Sequence, residues 1–214
     1  MFVPDLYRAP DDSWTAELIR RNPLALLTSN GGADGPYATH VPIIPDPEGA
    51  MAIGAGATLL GHMNRANPHW AALRTGDPVL AVFTGPHAYV TPTIYDITPA
   101  APTWNFTAVH VRGTVTKMPD PEATLAVVRA TVRAFEREFG SGWDMSASQG
   151  YFRQLLPGVG AYRIAVTAVE SMFKLSQEQR PEVRERVRCA FAERECSRHR
   201  ETARMMAELP ESGR

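Results

Sequence analysis

The chain has 214 residues and a formal net charge of -1, and its 44% hydrophobic and 21% charged content are those of an ordinary globular protein. This length makes one domain, or one domain with a tail, able to bury roughly 70% of its unfolded surface without staples. The near-neutral charge offers no global positive field for nucleic acid. No apolar run reaches the ~18 residues of a membrane span, and Met1–Asp5 lacks the basic and apolar stretches of a secretion signal.

The first predicted strand is Leu24–Ser29, stopped by Asn30-Gly31-Gly32, a hairpin turn signal. Pro36–Pro45 follows as an alternating strand, with prolines that suit an edge or a bulge. Met51–Gly54 reads as a third strand. If His62-x-x-Arg65 lies at a loop or a helix start, it sets an imidazole beside a guanidinium. Asn67–Leu73 has an N-cap asparagine and Pro68 at the first helical position, and so predicts a short helix. Val79–Phe83 is a buried strand, and His87–Val90 continues after a Gly-Pro corner. Thr107–Val115 alternates strictly and is the clearest strand of the chain.

After Asp120 the pattern changes. An N-cap, a proline and an acidic first turn predict a helix that runs through Phe139 and ends at Gly140. A short helix is expected over Gln149–Leu156, a strand over Ala161–Val166, and one long charged helix over Glu182–Leu209. Cys189 and Cys196 would lie two turns apart on that helix, too far for a bridge, which suits a reduced, cytoplasmic protein. Strands first and helices after define a mainly β (α+β) chain, a barrel or sandwich decorated by helices. No Gly-x-Gly-x-x-Gly or Walker loop occurs, and no linear Ser/His/Asp elbow, His-Glu-x-x-His or paired-carboxylate motif. Rossmann, P-loop, hydrolase and zinc-protease readings therefore lack a signature.

Five of the six histidines (His40, His62, His69, His87 and His110) fall in the strand-rich region. Each can be a satisfied structural histidine, or one can line a site where strands converge. His62-x-x-Arg65 sets an imidazole, able to bind iron, near a guanidinium able to hold a carboxylate or phosphate. Trp104 offers a flat face and Asn105 a donor and an acceptor. Lys174, one of only two lysines, could contact an anion.

Six ordered motifs carry a resemblance: Met1–Pro4, Ala38–Pro42, Gly61–Trp70, Phe83–Val90, Pro102–Phe106 and Lys174–Gln177. They are similar to the PaiB-like family of FMN-binding negative transcriptional regulators, over about residues 1–180. The resemblance implies a split β-barrel of the flavin reductase and pyridoxamine-phosphate oxidase type, a homodimer with its cofactor at the subunit interface. It sets a cofactor domain at 1–180 with a helical insert at about 120–157, and a charged C-terminal helix and tail at 181–214. Pro4–Arg8, Gly61–Trp70 and Thr98–Phe106 also resemble the piperazate synthase branch, and Thr93-Ile94-Tyr95 and Asn64 depart from the regulator pattern. That branch implies haem b and closure of the N–N bond of L-piperazic acid from N5-hydroxy-L-ornithine. The implied site is His62 as axial ligand, with His40, His87 and His110 as rivals, and Arg65 orienting a carboxylate. Trp70, His87, Trp104, Asn105 and Lys174 would contact the cofactor. The alternatives on this fold are an FMN-binding regulator and a flavin-dependent reductase.

Overall fold

A computed structural model describes residues 1–31, 35–49 and 53–210. Six strands, β1 (Leu24–Ser29), β2 (Tyr37–Pro45), β3 (Thr58–Asn64), β4 (Pro78–Val90), β5 (Thr103–Met118) and β6 (Val159–Lys174), hydrogen-bond in the order β1-β2-β3-β6-β5-β4 and close into a barrel. Six α-helices accompany them: α1 (Asp12–Arg21), α2 (Pro68–Ala72), α3 (Pro121–Glu138), α4 (Gln149–Leu155), α5 (Pro181–Ala192) and α6 (Ser197–Glu208). The fold is mixed α+β, a barrel rather than the sandwich that the strands-then-helices pattern equally allowed, and the split barrel that the family resemblance implies.

The chain divides into two compact units. One comprises Ala16–Phe83 and His110–Val169, the other Met1–Thr15, Thr84–Val109 and Glu170–Arg214. The first unit holds the barrel closure, where β1 pairs antiparallel with β2 and with β4. Alternation makes this barrel. Ala25 and Leu27 of β1, Leu59 of β3 and Tyr162 and Ile164 of β6 are fully buried. Each buried Leu or Ile among them contributes ~1.5–3 kcal/mol. Gly61 lies opposite Tyr162. A Cβ at Gly61 would meet the Tyr162 hydroxyl at 2.5 Å, so the glycine makes room for the ring.

The opposite face of β3 and β6 is apolar too, because α3 covers it. Ile44, Leu60 and Ala161 pack with Val127, Ala130, Ala134 and Phe135. Helix α3 starts as expected: Asp120 accepts from the Ala123 N–H at 2.7 Å, and Pro121 fills the first turn.

In the other unit, Trp14 meets Phe173 edge-on at 5.4 Å. The N-terminal ammonium pairs with Glu170, and Thr15 hydrogen-bonds Ser171 at 2.8 Å. Helices α5 and α6 pack together, with Val183, Val187 and Phe191 buried on one and Thr202, Ala203 and Met206 on the other. The Arg184 guanidinium donates to Met206 O at 2.8 Å.

Several expectations need correction. Of the expected strand Met51–Gly54, Met51 and Ala52 lie outside the described residues, and Ile53 and Gly54 are not in a strand. The strand there is β3, so His62 sits on a strand, and Arg65 lies in the turn that joins it to α2. The Gly85-Pro86 corner does not break β4, which runs unbroken over Pro78–Val90. Trp104 and Asn105 belong to β5 and Lys174 ends β6, because both strands extend well beyond their strictly alternating centres. Helix α1, not expected, covers Asp12–Arg21. The long C-terminal helix is two helices that break at residues 193–196, although no Gly or Pro interrupts the segment. Folding back buries both short apolar stripes. Cys189 and Cys196 are both free, but they no longer share one helix face.

Candidate functional site

In the unit that holds the barrel closure, β3 places His62 on the same face as Leu60, the face that α3 covers, with Ala161 as its register partner. His62 Nδ1 is buried and has no hydrogen-bond partner. Burial pushes its pKa below the ordinary 6.5, so the ring is held neutral. A neutral imidazole with a buried, unused nitrogen is a ligand or acceptor awaiting a partner.

Three residues on, the exposed Arg65 turns back on β6. Its backbone N–H donates to Gly158 O at 2.9 Å and its Nε to Val159 O at 2.8 Å. Arg65, Arg153, Glu122 and Thr124 line an open groove of ≈ 350 Å³.

Trp70 lies on α2 against bare backbone. A Cβ at Gly160 would meet the indole at 2.5 Å. Lys117 stands over the Trp70 ring at 4.3 Å and donates to Trp70 O at 2.6 Å. Burial, opposed by the Asp77 charge and assisted by Arg65, lowers the Lys117 pKa. Lys117 and Arg65 are therefore two cations whose charges repel, an arrangement that an anion relieves. Lys117 was not singled out in the sequence, where a lone lysine near a strand end carries no signal.

His69, the N-capped histidine of α2, has both ring nitrogens engaged, unlike His62. Ser29 Oγ lies 2.9 Å from Nε2, and Thr39 Oγ1 2.9 Å from Nδ1. His40 is exposed on β2, and His110 is half-buried on β5, on the opposite face from the buried Val109 and Val111.

In the other unit, β4 and β5 bring His87 and Trp104 together. The indole Nε1 donates to His87 Nδ1 at 3.3 Å, and Tyr89 adds a third ring 5.8 Å from Trp104. Trp104 is 48% exposed and Tyr89 47%, so this aromatic cluster presents usable faces. Asn105, by contrast, is fully buried. Its amide donates to Ser176 Oγ at 2.9 Å and accepts from that hydroxyl at 3.2 Å, so a ligand contact there would displace one of these bonds. The pair holds Ser176 at φ +64.

Lys174 donates to Thr103 Oγ1 at 2.6 Å and stands 5.8 Å from the centre of the Tyr7 ring. Tyr7 donates to Glu178 at 3.2 Å, and burial, then the Glu178 charge, pushes its pKa up to about 12. Tyr95 is buried with an unpartnered hydroxyl, and its pKa is raised by burial and by Glu178. Only Lys174 of this group was legible beforehand. The tyrosines and Glu178 are dispersed along the chain.

Among the described residues, no group of three or more His, Cys, Asp or Glu side chains could hold a bare metal ion. An iron porphyrin asks the protein for a single donor, and His62 keeps one ring nitrogen without a hydrogen-bond partner.

A six-stranded antiparallel barrel with flanking helices defines a split-barrel protein. The comparisons make this specific. The family model described as "Putative FMN-binding domain" matches residues 1–168, and the chain belongs to this family. The chain is 26% identical over 181 residues to "Protease synthase and sporulation protein PAI 2" of Bacillus subtilis, covering 84% of this chain and 83% of that protein. An uncharacterized protein of Aspergillus fumigatus is 29% identical over 208 residues, covering 76% and 79%. Among solved structures, a FAD and haem binding protein from Mycobacterium smegmatis superposes with a TM-score of 0.58 at 14% identity, covering 83% of this chain and 78% of that one. The flavocytochrome Anf3 from Azotobacter vinelandii gives 0.53 at 13% identity, covering 77% and 68%.

Proposed function

We propose that this chain is a haem-dependent N–N bond-forming enzyme of the piperazate synthase type, a cytoplasmic homodimer that cyclises N5-hydroxy-L-ornithine to L-piperazic acid. The observation that carries the reading is the neutral imidazole of His62 with its buried, unpartnered Nδ1. His62 would be the axial ligand of haem b, and Arg65 with Lys117 would meet propionate or substrate carboxylate. Likeness to a haem- and FAD-binding protein and to a flavocytochrome supports this cofactor class.

The reaction forms a bond between the α-amino nitrogen and N5, breaks the N5–O bond and releases the oxygen as water, with no net redox change. Haem iron, when bound, supplies Lewis-acid polarisation of the N–O bond. Arg65 stays charged throughout, so it binds and orients but donates no proton.

The test is an absorbance spectrum of purified protein given hemin, followed by an assay with N5-hydroxy-L-ornithine. A Soret band and cyclised product are expected, and the band should vanish in His62→Ala. Haem retained in that variant would overturn the ligand assignment.

A second reading, an FMN-binding regulatory protein, is favoured by the family description and by the exposed faces of Trp104 and Tyr89. It predicts yellow protein that releases FMN on denaturation and does not cyclise the substrate.

A further inference from the structure

The geometry points to Ser29 as an activated nucleophile with His69 as its general base, giving the barrel unit a serine acyl-transfer site for small esters. No linear motif announces it: the two residues are 40 positions apart and meet only because α2 places His69 against the ends of β1 and β2.

The geometry meets the requirements of a nucleophile–base pair in turn. Ser29 Oγ is 2.9 Å from His69 Nε2, within hydrogen-bond reach of a base. On the far side of the ring, Thr39 Oγ1 is 2.9 Å from Nδ1, so a third group orients the base. With the Nδ1 proton given to Thr39, Nε2 is left to accept the serine hydroxyl. Asn67 anchors both partners, accepting from the His69 backbone N–H at 2.9 Å and donating to Thr39 Oγ1 at 3.5 Å. Tyr37 stacks on the imidazole at 5.2 Å and 14°, which fixes the ring plane. His69 is 1% exposed, and its burial favours the neutral, proton-accepting form.

Ser29, 8% exposed, is the member of the pair that borders space for a substrate. Ser29 lines a groove of ≈ 400 Å³ with Thr28, Val79, Leu80 and Thr114. Tyr37 lines a second groove of ≈ 380 Å³ with Ala72 and Arg74, and the two share Asn30 and Pro78. Each has the size of a small-molecule site, one for an acyl group and one for its leaving alcohol.

In the acylation step, a bond forms between Ser29 Oγ and the ester carbonyl carbon while the C–O bond to the alcohol breaks. The serine proton passes to His69 Nε2 and then to the departing alkoxide. Water reverses the sequence: His69 takes its proton, the acyl group leaves as the acid, and Ser29 regains its hydrogen. Threonine stands where a carboxylate would stabilise the imidazolium. Loss of that carboxylate's support costs ~10⁴-fold in rate in a serine protease, so attack by the serine is expected to be slow, and an irreversible adduct accumulates where turnover would be hard to see.

The experiment is therefore covalent. The full-length protein is incubated with an ethoxy fluorophosphonate, in which attack by Ser29 breaks the P–F bond and releases fluoride, and the adduct is mapped by peptide mass spectrometry. A single adduct on Ser29 is expected, absent in Ser29→Ala and formed at least tenfold more slowly in His69→Gln. No adduct on the native protein, an adduct on another residue, or equal rates in His69→Gln would each overturn the proposal. Peptide mapping of the native protein decides the matter even if the His69 variant fails to fold.

Discussion

His62 and His69 stand seven positions apart, in the same unit, and burial holds both neutral. They nevertheless differ in kind. His69 spends both ring nitrogens on Ser29 and Thr39, whereas His62 Nδ1 has no partner at all. The difference teaches that burial alone says little about a histidine's task. A buried imidazole whose bonds are all made can act only through the side chains it already touches, whereas one with a bond unmade is open to a group from outside the chain, at a cost of ~1–3 kcal/mol for the unsatisfied group.

The largest expected effect breaks the comparison outright. His62→Ala should abolish haem retention, read as complete loss of the Soret band. His62→Leu should do the same while leaving the melting temperature of the cofactor-free protein unchanged or raised, since it removes an unsatisfied polar atom. The matching change His69→Leu should cost roughly 2–4 kcal/mol in chemical denaturation, because the Ser29 and Thr39 hydroxyls lose their partner inside the barrel. Equal stabilities for the two leucine variants would erase the distinction.

A smaller effect follows from pH. Both histidines have folded pKa values depressed below 6.5, so below that pH the unfolded chain takes up protons that the folded chain refuses. Stability should hold above pH 6.5 and fall as the pH drops below it, levelling off only below the folded pKa values. Thermal melts between pH 7.5 and 5 measure the fall, and the His69→Leu and His62→Leu variants should each show a shallower one. The smallest effect is expected at the Glu122–Arg153 ion pair, whose side chains are 70% and 49% exposed. Glu122→Gln should shift stability by no more than ~0.5 kcal/mol.

Local patterns made much of the fold legible. The hydrophobic run of β1, the alternation of β5 and the Asp120-Pro121 start of α3 each encode their element in adjacent residues. Failures came where the deciding contact is distant. Strand β3 reads poorly because Leu60, on its outer side, is covered by α3, so neither face is uniformly polar and the alternation disappears. The C-terminal helix reads as continuous because its break carries no Gly or Pro. Only the packing of Val183, Val187 and Phe191 with Ala203 and Met206 requires the fold-back.

The site divides in the same way. His62, Arg65, Trp70, Trp104 and Lys174 are visible as residue types with suggestive chemistry, and the family itself is written in ordered motifs. What each can do is not visible there. Lys117 beside Trp70, the closed Asn105–Ser176 pair and the Ser29–His69–Thr39 relay all join residues tens of positions apart.

By itself, the sequence determined the strands-then-helices order, the helix caps and the family, since each rests on neighbours along the chain or on residue identity. Tertiary structure alone decided which histidine is satisfied and which is left wanting. Hydrogen bonding and desolvation depend on atoms that meet in space, and no spacing along the chain records those meetings.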